Sequence, residues 1–234
     1  AGYAQIKFTD PNDGSSTKLR FAAIALGVGA EIAFIDAVGL RFSLGGTVLS
    51  GVNAVSALNV GALFSLDVAA GPVFRVFKLG PVQMVGGVDV GFSLLNQINP
   101  SSIAGAVVGN GSALTQSKGL DVRPYLAWAI GVGKIFGVQA GFDYTFNRNF
   151  TAKTNGHEIG VGVVASLDFW VLGLNLGYRY GRDLEAKTNQ HKVEAALFYS
   201  GRGNMSVGVA IAADIPKNDQ VTIVGQFALI YYWK

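Results

Sequence analysis

Apolar side chains recur at every second position along most of this chain. Between residues 22 and 34 one parity reads Ala22, Ile24, Leu26, Val28, Ala30, Ile32 and Phe34, and the other Ala23, Ala25, Gly27, Gly29, Glu31 and Ala33. A period of two belongs to the β-strand, whose successive side chains point to opposite faces, and not to the helix. The alternation returns over residues 58–76, where Leu58, Val60, Phe64, Leu66 and Val68 oppose Asn59, Gly61, Ser65 and Asp67. It returns again over 120–132, where Leu120, Val122, Leu126, Trp128 and Ile130 oppose Asp121, Arg123 and Tyr125. Segments at 82–94, 138–147, 158–167, 174–180, 192–200, 206–214 and 221–231 follow the same rule, with weaker ones at 2–8 and 40–48. The pattern predicts an all-β chain of about twelve antiparallel strands, with about ten or fourteen as the alternatives.

The connections fall into two kinds. Tight turns are expected at 35–38, 78–81, 134–137, 168–171 and 201–204, and longer polar connections at 10–17, 50–56, 97–118, 148–155, 182–190 and 215–219. Short and long alternate strictly, which is the order of a bacterial up-and-down barrel with short periplasmic turns and longer extracellular loops. The chain then reads as a single transmembrane domain, 1–234, with both termini periplasmic. Its longest extracellular loop, 97–118, contains Ile103, Ala104, Ala106, Val107 and Val108. A surface loop that apolar is expected to fold inward and narrow the interior, to pack on neighbouring loops, or to be disordered.

Composition sharpens the choice of solvent. Only 14% of residues are charged, against ~25% in an ordinary soluble domain, and mean hydropathy is +0.37. Yet no apolar run approaches the roughly 18 residues of a membrane helix. In hydrocarbon an unpaired backbone N–H or C=O costs several kcal/mol, so a chain that meets lipid without helices must close its sheet. The 32 glycines come with only 6 prolines and no triplet period, which sets aside collagen-like and low-complexity readings. The Ala1-Gly2 start and the absence of cysteine fit export after removal of a signal peptide.

Aromatic residues gather where the strands end. Phe92, Tyr144, Phe146, Tyr178 and Tyr180 lie beside long connections, and Phe34, Phe136, Phe169, Trp170, Tyr199, Tyr231 and Trp233 beside short ones or the C-terminus. Two such girdles suit the two headgroup levels of a bilayer. Together with the aromatic-rich end Phe227, Tyr231, Tyr232 and Trp233 before Lys234, this layout resembles bacterial outer-membrane β-barrel proteins across the whole chain. In size and strand number it is similar to small monomeric porin-like channels, although no motif specific to one family is present. The resemblance implies a monomer in the outer membrane of a Gram-negative bacterium.

The less apolar parity, assigned to the inside, carries charges of both signs. The candidate pore-lining residues are Glu31, Arg41, Asp67, Arg75, Asp89, Asp121, Arg123, Asp143, Glu158, Arg179, Lys192 and Glu194, with Lys7, Asp168 and Asp214 on the same expected face. Eight strands are filled by their own side chains, whereas about twelve leave a water path or a plugged cavity. Glycines such as Gly27, Gly29, Gly91 and Gly162 widen that space. The expected function is passive diffusion of ions or small hydrophilic solutes through a narrow lumen of mixed charge and weak selectivity. The bland reading of any one of these charges is cross-strand pairing that knits the wall together. The rival function is a non-conducting structural or adhesive surface barrel. A more distant one is an outer-membrane lipid-modifying enzyme.

Catalysis is not expected. His157 and His191 are the only histidines, each next to a long connection on the lipid-facing parity, and they are followed by Glu158-Ile159 and Lys192-Val193 rather than the His-x-Ser of barrel lipid hydrolases. Gly131, Gly133 and Gly137, and likewise Gly160 and Gly162, imitate a dinucleotide fingerprint but sit in alternating strands with no helix after them. The formal charge of +3, without a basic cluster interleaved with aromatics, gives no reason to expect nucleic acid. No cofactor and no metal are expected. The expected partners are the solute, outer-membrane lipid, and lipopolysaccharide phosphates facing Lys153, Arg182 and Lys187.

Overall fold

The computed structural model describes residues 2–9, 16–52, 62–98, 114–133, 135–202, 205–216 and 221–231. Most of the 97–118 loop with its apolar stretch, much of the connections at 10–17, 50–56 and 215–219, and Trp233 lie outside the described residues. Those described form twelve strands: β1 (Gly2–Thr9), β2 (Ser16–Ile35), β3 (Val38–Gly51), β4 (Ala62–Leu79), β5 (Val82–Ile98), β6 (Leu114–Val132), β7 (Phe136–Asn149), β8 (Thr154–Phe169), β9 (Leu172–Asp183), β10 (Asn189–Arg202), β11 (Met205–Pro216) and β12 (Val221–Tyr231). Each pairs antiparallel with its neighbour in sequence, and β1 pairs with β12 to close the barrel. Gly2 opposite Val224 and Gln5 opposite Val221 mark the two ends of that seam.

The strands tilt steeply. Moving from partner to partner, Ala33 leads to Gly39, Val73, Gly87, Tyr125, Asp143, Gly160, Gly181, Gln190 and finally Pro216. That line starts beside a short turn and ends beside a long connection, as the ~35–45° tilt of a closed barrel requires. Residues far apart on their own strands therefore come to one height inside.

Exposure is inverted relative to a water-soluble protein. On the outer parity Leu26 is 79% exposed and Val28 74%, with Ile24, Leu44, Leu66, Ile130, Val161, Leu176, Leu197 and Ile211 also open, while inward Asp89 is only 6% exposed. A soluble monomer does not leave an apolar belt of this extent facing water. Among the described residues no helix is long and apolar enough to cross a membrane. β2 has 20 residues and β6 has 19, more than the ~9–11 that span hydrocarbon at this tilt, so they project beyond it.

That projection corrects the expected loops at 148–155 and 182–190. β7 and β8 run on to leave only residues 150–153 between them, and β9 and β10 leave 184–188. Outside the membrane both faces of a strand meet water, so its alternation fades and it reads as loop. Each turn is closed by an acidic or amide side chain: Asn149 Oδ1 accepts from the Thr151 and Ala152 N–H groups, and Asp183 Oδ1 from those of Glu185 and Ala186. Lys153 and Lys187 end the turns in the left-handed region, at φ of 55° and 54°.

In the β1–β2 ladder Lys7 is opposite Lys18. The strong alternation of β2 sets the register, and the eight residues of β1 follow it. Trp170, expected in a girdle, occupies the turn after β8 at φ 68° and is 92% exposed.

Candidate functional site

The interior charges meet at the waist of the barrel in two networks. The first runs across β2 to β6. Glu31 and Arg41 are cross-strand partners, 3.7 Å apart, and Arg41 also lies 3.7 Å from Asp89. Asp89 accepts a hydrogen bond of 2.9 Å from Arg123, its own partner across the β5–β6 ladder. Arg41 in turn donates to the Tyr125 hydroxyl at 2.9 Å and stacks over that ring at 5.0 Å. Asp89, the most sheltered of these groups, thus has two arginines within 4 Å, whose opposite charge offsets the cost of burying it.

The second network spans β7 to β10. Arg179 donates to Asp143 at 2.7 Å and lies 3.0 Å from Glu158. One strand further, Lys192 and Glu194 are 3.7 Å apart.

Both networks step over a strand at a glycine. Arg41 on β3 is opposite Gly71 of β4, and a Cβ at Gly71 would run into the Val88 carbonyl of β5, so β4 and β5 approach closely where Arg41 reaches Asp89. On the other side Asp143 and Arg179 meet across Gly160 of β8, where a Cβ would strike both side chains. The interior glycines therefore divide into two sets. Gly160, Gly181 and Gly87 make room for Arg179, Glu158 and Tyr125, whereas a Cβ at Gly27, Gly29 or Gly45 would meet only backbone oxygens at 3.5–3.8 Å. Only the second set leaves space open.

That space is a cavity of about 770 Å³. Asp67, Asp89, Asp121, Arg123, Thr145, Glu158, Arg179 and Lys192 border it from β4 to β10, and Gly27, Gly29, Ser43 and Gly45 border it from β2 and β3. Charge lies on one wall and small residues on the other. Glu31, Arg41 and Asp143 join through their ion pairs, and Glu194 lines a smaller adjoining hollow with Arg179 and Lys192. Arg75 does not join them. It pairs with Val85 at a register shift beside a short turn, away from the cavity wall. Asp214 is opposite Lys192, and Asp168 is opposite Gly173 next to the turn after β8. Sequence reasoning missed Tyr125 as a partner in the first network, although its parity with Arg123 and Asp121 was the signal for it.

Both histidines face outward near the longer connections. His157 Nδ1 is hydrogen-bonded to the Tyr144 hydroxyl and its ring lies 5.2 Å from Phe146, while Nε2 is 3.5 Å from Glu185. His191 repeats the arrangement with Tyr178 at 2.7 Å and Tyr180 at 5.4 Å. Two like pairs on the outer surface suit an interfacial girdle.

No protein-family model matches the chain, and no curated protein is similar to it in sequence. Solved structures resemble it in fold. The transport unit of the autotransporter AIDA-I from Escherichia coli superposes with a TM-score of 0.63 at 10% identity, over 99% of this chain and 88% of that one. The translocator domain of the autotransporter NalP from Neisseria meningitidis gives 0.61 at 12% identity, over 100% and 87%. An outer membrane channel from Pseudomonas putida F1 gives 0.52 at 12% identity, over 98% and 93%. The fold is that of the outer-membrane β-barrel proteins.

Proposed function

We propose that this chain is an outer-membrane channel through which ions or small hydrophilic solutes diffuse passively. The observation that carries the reading is the cavity of about 770 Å³ at the waist, charged on one wall and lined by glycine and serine on the other. A barrel built only for strength fills its interior, whereas among the described residues the side chains that meet across strands do so along one side and leave the other open. One chain closes the barrel, so a single protomer suffices for a pore. In this reading the short turns and both termini face the periplasm. The girdle of Tyr144, Tyr178 and their histidines sits at the outer headgroup level, and Lys153, Arg182 and Lys187 meet lipopolysaccharide phosphates. The connections at 150–153 and 184–188 are too short to present an adhesive surface. No catalytic step is assigned, since the histidines bond to tyrosines and not to a serine.

Purified protein reconstituted in a planar bilayer should give discrete conductance steps. Gly45→Trp, which projects a ring into the open half of the cavity, should reduce each step by about half or more. A folded, heat-modifiable barrel that passes no current would overturn the reading.

A further inference from the structure

Among the described residues, the cations that border the cavity or pair with its wall are engaged. Arg41 and Arg123 are satisfied by Glu31 and Asp89, and Lys192 lies beside Glu194. Arg179 faces two carboxylates at once, Asp143 and Glu158. Among the described residues bordering the cavity, two acids take their hydrogen bonds from neutral groups: Asp67 from the Ser65 hydroxyl at 3.2 Å, and Asp121 from the Asn147 amide. They flank β5 from either side, with Asp67 opposite Ser93 and Asp121 opposite Gly91. Only a hydroxymethyl group and a hydrogen intervene, and both carboxylates border the same cavity. The longest connection, residues 99–113, contains no charged residue, so wherever it lies it adds no compensating cation.

Mixed charge in the sequence leads to an expectation of weak selectivity, but the pairing changes the sum. Salt-bridged arginines present little net field to a passing ion, because each is cancelled within 4 Å. Asp67, Asp121 and the surplus carboxylate beside Arg179 are not cancelled. We infer that the pore selects cations over anions, with Asp67 and Asp121 as the selectivity-determining residues and small metal ions or organic ammonium compounds as the favoured solutes. This rests on the channel reading, which it refines.

At a distance of roughly 6 Å in water a unit charge changes the local concentration of a monovalent ion about threefold. The wild-type channel in a tenfold KCl gradient should therefore show a reversal potential of cationic sign. Asp67→Asn and Asp121→Asn should each lower the K+/Cl− permeability ratio by about threefold, and the double variant should lower it by close to tenfold while current persists, leaving only the weak cation preference of the surplus carboxylate beside Arg179. A reversal potential at zero or of anionic sign in the wild type would overturn the selectivity alone and leave the channel standing. So would a double variant that keeps the wild-type ratio. Absence of current in folded wild-type protein overturns the channel reading and the selectivity with it.

Discussion

Leu26→Arg is expected to cost the barrel about 2–4 kcal/mol of stability, whereas Gly27→Arg, one residue away, is expected to cost less than about 1 kcal/mol. Both positions lie near the middle of β2. Leu26 projects outward and is 79% exposed, so in a bilayer an arginine there would place its charge against hydrocarbon. Gly27 borders the cavity, and a side chain built on it would meet nothing nearer than the Leu44 carbonyl at 3.7 Å. The guanidinium of Gly27→Arg would extend into hydrated space near Asp67. Urea titration in lipid vesicles, with folded and unfolded bands separated by their electrophoretic heat-modifiability, measures the two costs directly. Equal costs at the two positions would mean that the faces are not divided between lipid and water.

Asp89→Ala is expected to lose about 2–3 kcal/mol in the same titration. Removing one partner of a sheltered ion pair leaves the other uncompensated, at a cost near 3–5 kcal/mol in a dry site. Here the stranded Arg41 and Arg123 side chains are 36% and 48% exposed, so cavity water hydrates them and the loss falls at the lower end. Arg41 also keeps Glu31 and Tyr125. Deleting Arg123 in the Asp89→Ala background should restore part of the loss, because the two groups touch and their effects do not add. Strict additivity would mean that the 2.9 Å contact contributes nothing to the fold.

Most of the architecture was legible in the sequence because lipid imposes a strong rule on it. Where one face of a strand meets hydrocarbon and the other meets water, polarity tends to alternate, and the strands through Leu26, Leu66 and Trp128 can be placed with the charged face inward. The rule lapses where both faces are wet. The ends of β7, β8, β9 and β10 therefore read as loop, although the ladder continues through Asn149 opposite Thr154 and Arg182 opposite Asn189. It also gives little guidance in a short strand with little alternation of its own, such as β1.

The site was legible as a set of charges and not as a set of contacts. Parity brought Asp89, Arg123 and Arg179 inside, and Asp89 with Arg123 is a simple cross-strand pair. Arg41 with Asp89 and Arg179 with Asp143 each skip a strand, which depends on tilt and on Gly71 and Gly160 lying between them. No one-dimensional pattern carries that information. The same gap hides the pairing: counting inward charges gives a mixture, and only their distances show that Arg41, Arg123, Arg179 and Lys192 each lie within 4 Å of a carboxylate while Asp67 and Asp121 take their hydrogen bonds from neutral groups.

The central claim is that the charged parity encloses a continuous water path, and one measurement addresses it most directly. The chain has no native cysteine, so Gly27→Cys and Leu26→Cys can be compared in planar bilayers before and after a membrane-impermeant, bulky thiol reagent is added. The account predicts a stepwise fall in single-channel current for Gly27→Cys and no change for Leu26→Cys. An unaltered current in both, or a fall in both alike, would contradict it.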